Sequence, residues 1–189
     1  KAKTRNYYSN MAVFKHLTST DIEEILKSFN IGSLTEYLPI TKGIDNSNFK
    51  IITQQGEYIL TLFNPRQNAE DLPYYINFME HLSNKGIPCP YAIKNNLGKN
   101  ISTFAGINYS IVSFMKGEEA KTLTLEHIKE AAQTLAKMHI SSLDFNIQKP
   151  NAMNLKKCEE LIKVTIPAMN SLETGLSDFL QNELSFLQQ

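Results

Sequence analysis

The chain of 189 residues lacks an excess of charge of either sign, a cysteine framework and tryptophan. Its 19 basic and 19 acidic side chains give a formal net charge of zero, so it has no broad basic field for binding nucleic acid or a membrane surface. Its two cysteines, Cys89 and Cys158, form no Cys-x-x-Cys pair, which argues against a disulfide scaffold or a zinc knuckle. We therefore expect no nucleic-acid or membrane partner and a reducing, cytoplasmic location.

The sequence also lacks an apolar stretch of the roughly 20 residues that cross a bilayer, and its start lacks the apolar core of a signal peptide. Residues 1–10 are basic and polar, and Met11 follows them directly. We interpret residues 1–10 as a leader, or as residues added in cloning, and expect the functional chain to begin at Met11. A hydrophobic content of 42% with 20% charged residues is typical of a folded globular chain.

The spacing of apolar residues divides the rest of the chain into a β-rich half and a helical half. Thr20, with Glu23 as its capping-box partner, predicts a short helix that closes at Gly32. The first three predicted strands have connections too short for crossover helices, which excludes a parallel βαβ sheet. The fold class is therefore α+β, with one lobe at 11–115 and a helical lobe at 116–189. The predicted elements are strands 37–42, 47–53 and 57–63, helix 68–85, strands 92–94 and 108–114, and then helices from Thr124 onward.

The turn between the first two predicted strands concentrates hydrogen-bond donors. Its residues supply a flexible backbone, two amides, a hydroxyl and several main-chain N–H groups; they are Gly43, Asp45, Asn46, Ser47 and Asn48. Such donors can converge on phosphate oxygens. The alternative, from the residues alone, is a hairpin loop in which Asn and Gly accept positive φ. A single glycine excludes the Walker and Rossmann patterns.

Several spaced segments carry a more specific pattern: Gly43–Phe49, Gly56–Phe63, Leu72–Tyr75, His81–Leu82, Gly86–Pro90, Tyr109–Glu118 and Leu135–His139. In this order they resemble the bacterial homoserine kinases of the aminoglycoside phosphotransferase and choline kinase-like superfamily. The resemblance covers residues 11–189. It implies a protein-kinase-like fold, in which an antiparallel-sheet N-lobe with an inserted helix precedes a partial helical C-lobe and ATP lies between the lobes.

The resemblance also implies which residues contact the nucleotide. Residues 43–48 would lie over the phosphates, and Ser113, Phe114 and Met115 would offer main-chain groups to adenine from a sheet edge. Without the resemblance, residues 113–115 are equally a plain strand end. Thr61 stands where relatives usually place a Lys or Arg. Because Thr61 is uncharged, a different group must neutralise the charge of the phosphates. Glu80 is either an acidic partner in the site or an exposed helix residue.

The superfamily's catalytic loop, His-x-Asp-x-x-x-x-Asn, and its downstream metal-binding Asp are not found before Gln189. His139 and Asp144 do not replace them, because they stand five positions apart and His139 is expected in the last turn of a helix. We assign no catalytic residue and no metal ligand, since no two histidines have metal-ligand spacing on one helix face. We expect the first portion of a kinase, whether truncated, proteolysed or stopped early, with the Mg²⁺ ligands in the missing part.

The function expected from the resemblance is ATP-dependent phosphorylation of the L-homoserine hydroxyl, a step of threonine biosynthesis, with this chain alone inactive. One alternative keeps the fold and changes the acceptor to a choline-like or aminoglycoside-like molecule, because fold analogy cannot separate acceptors. Another is a non-catalytic nucleotide-binding or interaction module. The sequence leaves the oligomeric state open.

Overall fold

The computed structural model describes residues 15–43 and 45–187, so the leader, the expected start at Met11 and Ile44 of the donor-rich turn lie outside the described residues. The chain divides into two compact units, one ending at Gln148 and the other beginning at Lys149. The expected lobe boundary after residue 115 stays a prediction.

The first unit is built on one five-stranded antiparallel sheet with the strand order β1-β2-β3-β5-β4. The expected antiparallel meander and the α+β class are therefore confirmed. Residues 92–94, however, form only an isolated bridge from Ala92 to Val112 instead of a strand. Strand β4 pairs with the same edge of β5 at residues 107–109, so the pairing at Ala92 stays short. The strands are β1 Leu34–Ile40, β2 Ser47–Thr53, β3 Gly56–Leu62, β4 Ser102–Phe104 and β5 Ile107–Ser113.

A short helix, α1 (Ser19–Leu26), packs on one face of this sheet, which we call the outer face. Its N-cap is Thr18, not Thr20 as the sequence predicted: the Thr18 hydroxyl accepts from the Asp21 N–H at 3.2 Å, and the Thr18 N–H donates to the Asp21 carboxylate at 2.8 Å. The Thr18 hydroxyl also donates to the Asp21 carboxylate at 2.7 Å, and the two hydrogen bonds that the carboxylate accepts from Thr18, from its N–H and from its hydroxyl, lower the pKa of Asp21. Gly32 has a φ of +83° but lies five residues beyond Lys27, the C-cap of α1, so Gly32 does not end this helix as predicted.

The outer face forms the main hydrophobic core because alternate residues of β2, β3 and β5 point toward α1. Phe49, Ile51, Leu60, Leu62 and Ile111 are each 1% exposed or less. The opposite, inner face carries the intervening residues of the same strands. By this alternation Asn48, Lys50 and Thr61 share the inner face. The sheet is thus mainly apolar on one side and carries both polar and apolar residues on the other.

Helix α2 (Leu72–Asn84) follows a single 3₁₀ turn at Ala69–Asp71. It buries Leu72 and Ile76 in a second, smaller hydrophobic cluster with Phe63 and Ala92. Phe63 lies two residues beyond Thr61 and so on the inner face. The helix expected at 68–85 is confirmed, and it ends before Gly86, whose φ is +77°.

The first unit also contains α3 (Leu125–Ser141), and the second unit contains α4 (Leu155–Leu172) and α5 (Leu176–Leu187). Thr124 caps α3 as predicted, with its hydroxyl accepting from the His127 N–H at 3.3 Å. The apolar stripe of α3 is exposed, and Leu125 keeps 82% of its surface open to solvent. No helix among the described residues is both long and apolar enough to cross a membrane.

The end of α3 is joined to α2 by polar and aromatic contacts. The ring nitrogen Nε2 of His81 lies 2.8 Å from the main-chain oxygen of Ser141, and the Phe145 ring lies 5.0 Å from that of Phe78, between ring centroids. Asp144 pairs with Lys85 and with His81. The hydrogen bond from Lys85 lowers the pKa of Asp144. Asp144 therefore takes part in this joint, and its lack of a catalytic role stays a prediction.

Candidate nucleotide site

The donor-rich turn closes the hairpin between β1 and β2. Ile40 pairs with Asn48 in the ladder, so the residues between them form the connection. Gly43 has a φ of +123°, and a Cβ added there would meet no atom within 4 Å. Glycine is therefore required at this position by the backbone conformation and not by lack of space.

Two asparagine amides in this turn are held by their oxygen atoms. Asn46 Oδ1 accepts from the main-chain N–H of Asn64 at 3.0 Å, and Asn48 Oδ1 accepts from the Thr61 hydroxyl at 2.8 Å. Both asparagines are half-buried. Within the described residues neither Nδ2 group has a hydrogen-bond partner. The arrangement thus leaves two NH₂ groups available for an anionic ligand.

Asp45 is held by the chain that follows β3. Its carboxylate accepts from the side-chain amide of Gln67, and its main-chain oxygen accepts from Asn64 Nδ2 at 3.1 Å. These contacts engage the negative charge of Asp45 with residues 64–67. A cavity of about 470 Å³ adjoins the turn here, lined by Asp45, Asn46, Phe63, Gln67, Asn68, Asp71, Leu72 and Tyr75.

The side chain of Ser47 is not brought together with those of the asparagines. Ser47 is fully buried, and its hydroxyl accepts from the Lys15 N–H at 3.2 Å. Because Ser47 and Phe49 are two residues apart on β2, both face the outer core. Its hydroxyl is therefore separated from the inner face, where Asn48 and Thr61 lie.

The segment expected to bind adenine is more fully hydrogen-bonded than its sequence suggested. The Ser113 N–H donates to the Tyr91 carbonyl at 2.9 Å, and the Phe114 N–H donates to the Glu57 carbonyl at 3.2 Å. The expectation of unpaired donors at a sheet edge is wrong for these two groups, because β5 lies inside the sheet and residue 91 pairs with its end. The main chain of Met115 and the Phe114 carbonyl have no hydrogen-bond partner within the described ranges. A planar base could use those groups.

Sequence reasoning missed Lys50, although the alternation of β2 could have found it. Lys50 lies on the inner face, and its Nζ is 4.1 Å from the centroid of the Phe114 ring and 2.9 Å from a carboxylate oxygen of Glu57. The Lys50 side chain is 24% exposed. A half-buried cation therefore lies on the same face as Thr61, whose position carries no charge.

Glu80 is engaged elsewhere in the first unit. Its two carboxylate oxygens contact Lys94 Nζ and Asn100 Nδ2, each at 3.1 Å. Glu80 is thus a paired helix residue. In the part of the chain that the structure describes, no group of three or more His, Cys, Asp or Glu side chains is arranged to hold a metal ion.

The sequence profile of the phosphotransferase enzyme family matches residues 36–157, which include β2, β3, β5, α2, α3 and the donor-rich turn. The chain belongs to this family. The chain is similar to a solved structure of a spectinomycin phosphotransferase in complex with ADP and spectinomycin, with a TM-score of 0.64 and 13% identity. The similarity covers 82% of this chain and 48% of that one, and it confirms the kinase-like α+β fold.

Curated relatives of this phosphotransferase-family chain are homoserine kinases. The homoserine kinase of Sinorhizobium medicae is 34% identical over 179 residues, and that of Rhizobium meliloti is 33% identical over 179 residues. Each alignment covers 95% of this chain and 55% of the relative. The chain therefore spans about half the length of the curated relatives it matches.

Proposed function

We propose that this chain is the nucleotide-binding portion of a homoserine kinase, a cytoplasmic enzyme that uses ATP and Mg²⁺. In the whole reaction the substrate hydroxyl attacks the γ-phosphorus in line, the bond to the β,γ-bridging oxygen breaks, and the hydroxyl proton passes to an Asp. The products are ADP and O-phospho-L-homoserine. The observation that carries the proposal is the pair of oriented amide NH₂ groups of Asn46 and Asn48, in a chain similar to homoserine kinases over 95% of its length.

The hydrogen-bond donors of the turn are suited to binding phosphate oxygens. Asn46 and Asn48 offer NH₂ groups, while the carboxylate of Asp45 is held by Gln67 and Asn64. Hydrogen bonds to a charged acceptor are worth about 1.5–3 kcal/mol each. The phosphates would thus be bound by neutral donors here, since the cation on the same sheet face, Lys50, is paired with Glu57.

The adenine would lie against residues 113–115. The Phe114 carbonyl can accept from the exocyclic amine of the base, and the Met115 N–H can donate to a ring nitrogen. The Phe114 ring and Lys50 would line the same region. We expect L-homoserine to bind to the part of the kinase that the relatives have beyond this chain. The residues that bind the metal are expected in the same part.

A coupled assay of ADP release tests the proposal. The chain is mixed with ATP, Mg²⁺ and L-homoserine, and the full-length Sinorhizobium medicae homoserine kinase serves as the positive control. We expect the chain to bind ATP in calorimetry but to give no steady turnover, because no general base or metal ligand has been assigned in it. Sustained turnover by the chain would overturn the assignment of catalysis to the missing part, and absence of ATP binding would overturn the nucleotide site.

The acceptor is tested separately in an intact kinase that contains this sequence. Preference for L-homoserine over choline and aminoglycosides, measured as kcat/KM, is the expected result. Preference for one of the other acceptors would retain the kinase and replace its substrate.

A further inference from the structure

We propose that Thr61 is a positioning residue, which acts on the nucleotide by fixing the amide of Asn48 and not by contacting the phosphates itself. This inference rests on the proposed function. The Thr61 hydroxyl donates to Asn48 Oδ1 at 2.8 Å, and the two residues are direct cross-strand partners in the β2–β3 ladder. The bond therefore joins two side chains whose backbones are already fixed opposite each other.

The chemistry of the amide gives this bond its consequence. An asparagine amide can rotate by a half-turn and exchange its oxygen with its NH₂ group at almost no change in shape. In one orientation it offers two donors to an anion, and in the other it presents an oxygen that repels the anion. The Thr61 hydroxyl donates to the oxygen, and while it does so the amide is held in the first orientation. Because threonine is β-branched, its χ1 angle is restricted and the hydroxyl stays in place.

The side-chain amide of Asn46 is oriented in the same way, and its partner permits only one orientation. Its Oδ1 accepts from the main-chain N–H of Asn64, and a main-chain N–H can only donate. Each amide oxygen thus accepts one hydrogen bond from this part of the chain: Asn48 from Thr61, near the end of β3, and Asn46 from Asn64, which follows β3. This arrangement explains why an uncharged residue at position 61 is compatible with phosphate binding: it serves through the amide that it orients.

The test compares Thr61→Val, which removes the hydroxyl and keeps the shape, with Thr61→Ser, which keeps the hydroxyl. Affinities of the whole chain for ATP and for adenosine are measured by calorimetry. We expect Thr61→Val to weaken ATP binding about tenfold and Thr61→Ser to recover most of the loss. Adenosine has no phosphates, so its affinity should be the same in all three proteins. A merely structural role for Thr61 would weaken ATP and adenosine together.

A second measurement uses the unmodified chain, so it does not depend on the folding of a variant. In ¹⁵N-labelled protein the side-chain NH₂ resonances of Asn48 should shift on addition of ATP and not on addition of adenosine. Unshifted Asn48 resonances in ATP-bound protein, or equal ATP affinities of the Val and Ser variants, would overturn the inference and leave the nucleotide site standing. Absence of ATP binding by the unmodified chain would overturn both.

Discussion

The two faces of the sheet are made by the same strands and differ in burial and in polarity. On the outer face alternate residues of β2 and β3, among them Phe49, Ile51 and Leu60, are buried against α1. On the inner face the residues between them include Asn48, Lys50 and Thr61, which are half-buried and polar. Neighbouring residues of a strand therefore have different roles, since the outer face forms the main core and the inner face presents half-buried polar groups that a ligand could contact.

The largest effect is expected from truncating the outer face. Leu60→Ala should lower the free energy of unfolding by about 2–5 kcal/mol, because Leu60 is fully buried and the surrounding core cannot close the cavity completely. Urea denaturation monitored by circular dichroism measures this change. The inner-face neighbour provides a matched control, since Ile59→Ala removes a side chain that is only half-buried. Equal losses in the two variants would break the distinction between the faces.

The next effect concerns the inner face and should appear in binding. Asn48→Ala removes one oriented NH₂ group and should weaken ATP binding by about 1.5–3 kcal/mol, with a much smaller change in stability. Asn84→Ala, at the exposed end of α2, is the control for loss of an asparagine side chain. Calorimetry with ATP measures the difference. Unchanged ATP affinity in Asn48→Ala would restore the plain hairpin-loop interpretation of the turn.

A smaller effect is expected at the helix that covers the outer face. Thr18→Ala removes the N-cap of α1 and should cost about 1 kcal/mol of stability. Thr20→Ala lies inside the first turn, where its side chain caps nothing, and should be close to neutral. The two melting temperatures decide between the observed cap and the one predicted from the sequence. ATP affinity should be the same in both variants.

The smallest effect is a dependence of stability on pH at the joint between α2 and α3. The hydrogen bond from Lys85 lowers the pKa of Asp144 in the folded protein below its ordinary value. The charged carboxylate therefore stabilises the fold at pH values above the unfolded pKa, and this contribution is lost as the pH falls through the folded pKa. Because Asp144 is exposed, the effect should be small and should weaken in high salt. Unfolding curves of Asp144→Asn and the parent chain should converge in acid, and a constant difference would contradict the pairing.

Much of the sheet could be predicted because its signals are local. The alternation of β2 and the turn before Gly56 specify a hairpin within a few residues, and Ser47–Thr53 was predicted with its observed bounds. The cap of α1 was misplaced because Thr18 and Thr20 are chemically equivalent, each with an acidic residue three positions later. Only the path of the chain before the helix distinguishes them.

The site could be predicted only in part for a different reason. The donor-rich turn is contiguous in sequence, so its residue types could be recognised. The partners that orient its amides, Thr61 and Asn64, follow from the register of β2 on β3 and from the chain beyond it, which the residue types do not specify. The hydrogen bonding of Ser113 and Phe114 likewise depends on their distant neighbours Tyr91 and Glu57.

The joint between α2 and α3 has a consequence for the order in which the first unit opens. The contact of His81 with Ser141 links residues 60 positions apart, whereas the β2–β3 hairpin turns within the residues between Thr53 and Gly56. The entropic free-energy cost of closing a loop rises with its length, by about 0.6 kcal/mol for each doubling. Here only a few half-exposed contacts offset the cost of the long loop between α2 and the end of α3. In native-state hydrogen exchange the amides at the end of α3 should therefore exchange by local opening well before those of the central strands.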